Sequence, residues 1–386
     1  GSQKTEPMHC LGLMSGTSAD GVDAVLAHFD GPPQRPQWSL LRHHHQPYPL
    51  ELQRQVVAAG QGAPMPAALW LELAEAITEV QAEAALACDP DAKAELIGCH
   101  GQTVWHRPPA RGARGASWQM LQAPLLAHRL QRPVVHDFRA ADLALGGQGA
   151  PLVPRADAAL LGSTQGWRAL LNLGGIANLT LIPPCSGVDR HAAILGWDCG
   201  PANSLIDLGM RQFTNGAQSF DKGGAMAAQG HADEGWIQRW LQEEYFQLAP
   251  PKSTGRECFG QDDLNRRLRQ LGGASAADAI ATLTAFSAAV VAQDLARLRQ
   301  SVGIAPIELI TAGGGSQNPV LIDELRRRCR GAQIDASSSL GVPTEAREAL
   351  VFALLAWWHH RGHPGNVPAV TGACREAVLG TRVNPA

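Results

Sequence analysis

No CxxC pair occurs among the eight cysteines of this 386-residue chain. Zinc ribbons and thioredoxin-type redox sites need cysteines at that spacing, so neither organises this protein. The cysteines fall at positions 10, 88, 99, 185, 199, 258, 329 and 374, a spread that suits reduced thiols better than a disulfide framework. An excess of charge of one sign is missing too. A formal net charge of -3 and a pI of about 6.6 leave no broad basic field for nucleic acid or an anionic membrane, and neither partner is expected. No uninterrupted apolar run reaches the length of a membrane-spanning helix. A signal peptide is not expected, because the first ten residues, GSQKTEPMHC, are polar and the apolar stretch behind them is broken by Gly and Ser. Low-complexity segments and short-period repeats are also lacking. These absences predict a cytoplasmic protein. At 45% hydrophobic residues it is long enough for one large domain or two ordinary ones, and the length favours two.

What is there alternates between strand and helix patterns, which argues an α/β class. Leu11 to Leu13 and Val22 to Phe29 read as two strands around a small-residue turn. Residues 66–88 form an Ala/Leu/Glu-rich amphipathic helix, stopped by Asp89-Pro90. Glu95 to Cys99 reads as a short buried strand ending at His100-Gly101-Gln102-Thr103. Val134-Val135 is another, and it runs into the Gly/Pro-rich passage HDFRAADLALGGQGAPLVPRAD, a candidate domain crossing or active-site loop. Arg168 to Ile182 is predicted as strand, Gly-Gly turn, strand. Ala193 to Asp198 is predicted as a strand before a turn at Gly200-Pro201 and a helix over 203–212. Helices are also predicted over 278–301 and 345–362. The stretches 11–30 and 168–182 share one layout, as the openings of two related halves would.

Three turns carry unusual residues. Ser15-Gly16-Thr17-Ser18, followed by Ala19, Asp20, Gly21, Val22 and Asp23, combines open backbone with three hydroxyls and two carboxylates. Such a turn either caps a hairpin with Ser and Asp or offers donors to phosphate oxygens, with Asp20 and Asp23 facing a magnesium ion. A Walker A loop is absent, and the segment after the turn reads as strand, so it is not a GxGxxG turn opening a helix. The second turn, LNLGGIANLT, frees the backbone at Gly174 and Gly175 and adds Asn172 and Asn178. The third, ITAGGGSQNP, sets Gly313, Gly314 and Gly315 between a buried strand and a helix, where either a nucleotide lies against bare backbone or the glycines form a flexible loop, the first being favoured.

This layout is similar to that of the actin, hexokinase and Hsp70 class of ATP-binding folds. The segments SGTSADGVD, HGQTVWH, DFRAADLALGGQGAPLVP, NLGGIANLT, DCGPANSLID, PPKSTGRE and LGVPTEAREALVFALLA resemble, in that order, the anhydro-N-acetylmuramic acid kinase family. The likeness runs from about Leu11 to Gly380. It implies two actin-like (ribonuclease H-like) α/β domains, 8–140 with 345–386 and 141–344, with a nucleotide and sugar cleft between them. It implies ATP and Mg2+ as cofactors and a homodimer. The activity implied is hydrolytic opening of 1,6-anhydro-N-acetylmuramic acid with phosphorylation of its 6-oxygen. The alternatives are a kinase of another sugar and a non-catalytic ATP-binding protein on the same fold.

By the same resemblance, Asp198 of WDCGPAN is the catalytic base, against the alternative of a helix cap. Glu348, His100, Gln102 and Thr103 contact the sugar, against the alternatives of an exposed helix carboxylate at Glu348 and a plain turn at His100-Gly101. Ser15 to Asp23, Asn172, Gly174, Gly175, Asn178 and Gly313 to Gly315 bind ATP, and Asp20 or Asp23 orders the metal, which of the two being open. Asp137, Arg139 and Asp142 either line the substrate site or hold the domains together, and the structural role is expected. Lys252, Ser253, Thr254 and Arg256 form a basic loop that meets a carboxylate or phosphates, or is merely solvated. Asp221-Lys222-Gly223-Gly224 is equally open. The run His43-His44-His45 is expected to be solvated, and Trp357-Trp358 to pack in the core. Ala19, His136 and Cys199 depart from the family pattern.

Overall fold

The computed structural model describes residues 6–386 except 164, 185–186, 193, 251, 255, 337–341 and 343–345. The chain divides into two compact units, Gly1–Leu161 with Gly341–Ala386, and Gly162–Leu340. In chain order, β1 (Met8–Ser15), β2 (Gly21–Asp30), β3 (Gln37–Pro47), β4 (Leu96–Arg107), β5 (Ala116–Met120) and β6 (Val134–His136) build the first unit. The second holds β7 (Arg168–Leu173), β8 (Ile176–Ile182), β9 (Leu195–Pro201), β10 (Glu308–Ala312) and β11 (Gln333–Ala336), before β12 (Thr381–Val383) returns to the first.

Both sheets repeat one plan. The second runs β11-β10-β7-β8-β9; the first runs β12-β6-β4-β1-β2-β3 with β5 on β4. Without β5 and β12, the order is the same. In each unit two antiparallel pairings join the first three strands, and the fourth and fifth strands add in parallel. This is the two-domain actin-like α/β class expected from the sequence. Each unit has its own apolar core.

Glycine sets how closely one helix approaches the first sheet. Gly12 of β1 and Gly98 of β4 are register partners. A Cβ at Gly12 would lie 1.9 Å from the Ala349 carbonyl oxygen, and one at Gly98 would lie 2.2 Å from that of Phe352. The helix Arg347–Arg361 therefore lies with its backbone against the strands, which fixes where its first turn presents Arg347 and Glu348. Trp357 and Trp358 on this helix are buried, as expected. In the second unit the helix Ala276–Val302 is long and apolar enough to cross a membrane, but its most apolar window is 78% buried. It is the core helix of that unit.

Several expectations are corrected. β4 does not end at His100 but continues through Gly101, Gln102 and Thr103 to Arg107, because β5 pairs with its second half. The histidine run lies inside β3, which pairs antiparallel with β2, His44 opposite Ala24, and His43 and His45 are exposed there, as expected. Gly200-Pro201 is the end of β9 rather than a turn, with Pro201 opposite Ile176. Residues 141–161, expected in the second domain, belong to the first unit. The buried Asp142 shows why: Oδ2 accepts from the Gly149 N–H at 2.8 Å, and Oδ1 accepts from Asn366 Nδ2 at 2.8 Å and Thr371 Oγ1 at 2.7 Å. Arg155 adds a bond to the Asn366 carbonyl at 3.0 Å, and Arg347 pairs with Asp157.

Candidate active site

Asp198 stands near the end of β9, between the buried Trp197 and Cys199. Asn178 Nδ2, from the neighbouring β8, donates to Asp198 Oδ1 at 2.9 Å. The backbone N–H of Thr254 donates to Oδ2 at 3.0 Å, and the Tyr245 hydroxyl donates to the Asp198 carbonyl oxygen at 2.5 Å. Burial pushes the Asp198 carboxyl up from its ordinary value, while Asn178 and the Thr254 N–H pull it back. It is not a helix cap: Ala202 holds that place before the helix Asn203–Phe213. Strand alternation puts Cys199 on the other face of β9, buried, with its thiol pushed well up by burial and by Asp294. A thiol in that state is a poor nucleophile, and it lies on the face of β9 away from the carboxylate.

The glycine turns of the second unit meet at the start of that helix. The N–H groups of Ala202, Asn203 and Ser204 donate to the carbonyls of Gly175, Gly174 and Gly175 at 2.9, 3.0 and 3.1 Å. Asn203 Nδ2 donates to the Leu173 carbonyl at 2.9 Å. A Cβ on Gly174 or Gly175 would find no atom nearer than 3.9 Å, so this backbone is open to a ligand. Gly313 differs. Its φ is +82°, and a Cβ there would lie 2.6 Å from Asn172 Oδ1. Gly315 likewise packs on Leu173, whereas Gly314 is exposed and open. The structure thus brings Asp198, Asn178, Asn172, both middle glycines and the Gly313–Gly315 turn together.

Sequence reasoning misses Tyr245 and Asp207. Asp207 lies one helical turn beyond Asn203 on the same face, and burial pushes its carboxyl up to about 7 against the pull of Arg211. The four-residue spacing from Asn203 is the available signal. The sequence marks Thr254 only as part of a basic loop, and its backbone N–H is what matters. The Arg256 side chain of that loop lies outside the described residues.

The first unit presents the other turn. Ser15 is buried: its Oγ donates to the Gly101 carbonyl at 3.0 Å and accepts from Gln81 Nε2 at 3.2 Å. Gln102 Nε2 donates to the Gly16 carbonyl at 3.1 Å, and its Oε1 accepts from the Tyr48 hydroxyl at 3.0 Å. β4 thereby holds the turn in shape. Ala19, Gly21 and Val22 are buried, whereas Thr17, Ser18 and Asp20 are exposed. Asp20 accepts from Ser18 Oγ at 3.1 Å and Gln53 Nε2 at 3.4 Å. Asp23 Oδ1 lies 3.2 Å from Nε2 of the exposed His43 and 3.0 Å from Nδ1 of the exposed His45.

His100 is buried with both ring nitrogens in use: Nδ1 donates to the Gly101 carbonyl at 2.8 Å, and Nε2 accepts from Arg139. Burial and the Arg139 charge push it down to about 3, so the ring is neutral. Arg139, expected to be structural, also donates from Nη1 to the Gly149 carbonyl at 2.8 Å. Thr103 Oγ1 accepts from Gln119 Nε2 at 3.1 Å. Glu348 is exposed at the start of its helix, yet the protein around its carboxyl displaces enough water to push it up from its ordinary value, against the pull of Arg347 and Arg139.

The family model of anhydro-N-acetylmuramic acid kinase matches residues 8–385 of this chain. The chain belongs to this family. It is 95% identical over 379 residues to the anhydro-N-acetylmuramic acid kinase of Synechococcus sp. (strain CC9605), covering 98% of this chain and 100% of that one. It is 70% identical over the same length and coverage to that of Synechococcus sp. (strain CC9902). Among solved structures, the xylulose kinase of Rhodospirillum rubrum is similar at a TM-score of 0.44 and 12% identity, over 99% of this chain and 94% of that one.

The first turn carries carboxylates of the hard-oxygen kind that magnesium takes, Asp20 and Asp23, of which Asp23 Oδ1 is engaged by His43 and His45. Among the described residues no group of three or more His, Cys, Asp or Glu is arranged to hold a metal. Magnesium bound beside a nucleotide needs fewer, since it takes one or two carboxylates and completes its shell with waters and phosphate oxygens. Asp20 and Asp23 supply such hard oxygen donors.

Proposed function

We propose that this protein is an ATP-dependent kinase that opens 1,6-anhydro-N-acetylmuramic acid with water and phosphorylates the freed 6-oxygen. The observation that carries the reading is Asp198, a half-buried carboxylate with a raised affinity for protons, held on both oxygens beside an open glycine turn in a chain that matches the kinase family over 8–385. In this reading Asp198 takes a proton from the attacking water as that water bonds to the anomeric carbon. The bond between that carbon and the bridging 6-oxygen breaks, the 6-oxygen bonds to the γ-phosphorus of ATP, and ADP leaves. One carboxylate suffices where inverting glycosidases use two, because the departing oxygen is accepted by the phosphoryl group rather than by an acid.

The roles of the other residues belong to the same proposal. The turn from Ser15 to Asp23 and the turns bearing Asn172, Gly174, Gly175, Asn178 and Gly313 to Gly315 bind ATP. Backbone N–H groups and the Thr17 and Ser18 hydroxyls serve as donors to phosphate. Mg2+, held by Asp20 and Asp23, would neutralise phosphate charge. Thr103 and Glu348 contact the sugar; His100 and Gln102 serve the same face by fixing Arg139 and Gly16. A cytoplasmic homodimer completes the reading, to be checked by cell fractionation and sedimentation.

The test is turnover of the anhydro sugar with ATP and Mg2+ in 18O-labelled water, followed by mass spectrometry. The label is expected on the anomeric carbon and not in the phosphate. An anhydro sugar left intact while a plain hexose is phosphorylated would overturn the assignment. Asp198→Asn is expected to abolish turnover and keep ATP binding.

A further inference from the structure

Tyr245, Lys252 and Thr254 act on Asp198 at three points. Besides the Tyr245 hydroxyl and the Thr254 N–H, the Lys252 carbonyl accepts from the Asp198 N–H at 3.1 Å. The Lys252 side chain goes elsewhere. Its Nζ pairs with Asp294 Oδ1 on the helix Ala276–Val302 at 3.1 Å, with the two side chains 3% and 1% exposed. The same ammonium donates to the Tyr245 carbonyl at 3.3 Å and lies 5.0 Å from the centre of the Tyr245 ring. The other oxygen of Asp294 accepts from Trp197 Nε1 at 2.9 Å, and Trp197 is the residue before Asp198. One carboxylate on the core helix therefore ties down both flanks of Asp198. The ammonium is spent on these partners, so Lys252 does not serve phosphates or a substrate carboxylate.

We propose that Lys252 and Asp294 are positioning residues for the base: their buried ion pair holds the strap formed by Tyr245 and residues 252–254 in the register at which the Thr254 N–H reaches Asp198 Oδ2. The inference rests on the reading of Asp198 as the base. A buried ion pair is a poor way to gain stability, because the cost of removing two charges from water offsets most of their attraction. Apolar side chains of similar size would fill this space equally well. What they would not do is fix the strap by one residue-specific contact. Small errors in the placement of a reacting group are costly to rate, which makes such a contact useful. The groups around Asp198 are Asn178 from β8, the strap with its Thr254 N–H and the Tyr245 hydroxyl, and, behind the strand, Cys199, Lys252 and Asp294.

Two variants test it. Asp294→Asn keeps the shape of the side chain and an oxygen for Trp197 while weakening the hold on Lys252. The double variant Lys252→Met with Asp294→Leu removes both charges and keeps the volume. In each, KM for ATP and sugar is expected within about twofold of the parent, kcat about tenfold or more lower, and the acid limb of the kcat profile displaced upward as the Thr254 N–H is lost. The double variant is expected to melt near the parent temperature. A folded variant of either kind with the parent's kcat and acid limb overturns the inference. So does a loss of activity that follows thermal stability alone and returns when the double variant restores stability. Normal turnover in Asp198→Asn would instead defeat the base reading, whereas inactivity there with a normal Asp294→Asn defeats only this inference.

Discussion

Arg139 donates to Nε2 of His100 from two of its nitrogens, Nε at 3.1 Å and Nη2 at 2.9 Å, so this ring cannot take a second proton without losing both bonds. The folded state holds His100 near a pKa of about 3, against 6.5 for an ordinary imidazole. Between those values the unfolded chain binds one more proton than the folded one. Stability from this residue is therefore complete above about pH 6.5 and is lost as pH falls towards 3, at about 1.4 kcal/mol per pH unit. His100→Gln keeps an acceptor for Arg139 and removes the titration. Thermal melts from pH 7 to 4.5 should fall less steeply for this variant than for the parent. Equal slopes would exclude His100 as the source.

The middle and last glycine turns should respond differently to a methyl group. Gly175 has an open face, with the nearest atom 3.9 Å from an added Cβ. Gly175→Ala is expected to melt within about 2 °C of the parent and to raise KM for ATP about tenfold, because only a ligand would meet the methyl. Gly313 combines a φ of +82° with a Cβ position 2.6 Å from Asn172 Oδ1. Gly313→Ala is expected to cost about 1–3 kcal/mol of stability in urea denaturation before any ligand is added. A destabilised Gly175→Ala, or a Gly313→Ala of parental stability, would reverse the two assignments.

The same reasoning applies to the sheet under the helix Arg347–Arg361. Gly98→Ala drives a Cβ into the Phe352 carbonyl, and neither the strand nor the helix backbone has a flexible end to move aside. An expected loss above about 3 kcal/mol follows, with the helix carrying Arg347 and Glu348 displaced. Urea titration followed by tryptophan fluorescence reads it, since Trp357 and Trp358 are buried on that helix. A loss below about 1 kcal/mol would mean that the helix does not depend on this close approach.

The features visible in the sequence are those whose cause is local. Leu11 to Leu13 and Val22 to Phe29 alternate or run apolar because both strands are buried, and the two Gly-bearing hairpins show the duplicated plan through turn chemistry alone. Trp357 and Trp358 are legible as core residues because a strongly apolar helix leaves them nowhere else. The features that escape depend on distant partners. β4 continues past Gly101 because β5, a separate strand further along the chain, pairs with it, and nothing in Gln102 or Thr103 announces that. Residues 141–161 join the first unit through Asp142 and its bonds to Asn366 and Thr371, which come from the far end of the chain. Lys252 looks in sequence like one charge in a basic loop. Its burial depends on Asp294, which looks like one more polar position in a long helix.

Asn178 offers the sharpest test of the base, because it touches Asp198 without being joined to the strap. Its amide donates to Asp198 Oδ1 at 2.9 Å and stabilises the ionised carboxylate against a burial that favours the protonated one. Asn178→Ala removes the stabilising donor and leaves the burial, so the carboxyl must move further up. A base is active only when ionised, so the acid limb of the kcat profile should move to higher pH. The loss relative to the parent should be largest at low pH, about tenfold for each pH unit by which the limb moves, and should narrow towards the alkaline plateau. Asn178→Asp places a second carboxylate beside the first and should move the limb up further still. Profiles of kcat for the three proteins from pH 5 to 9, under saturating ATP and sugar, decide the matter. A uniform loss at every pH would assign Asn178 to binding or structure, and an unmoved limb in both variants would show that the titrating group is not Asp198.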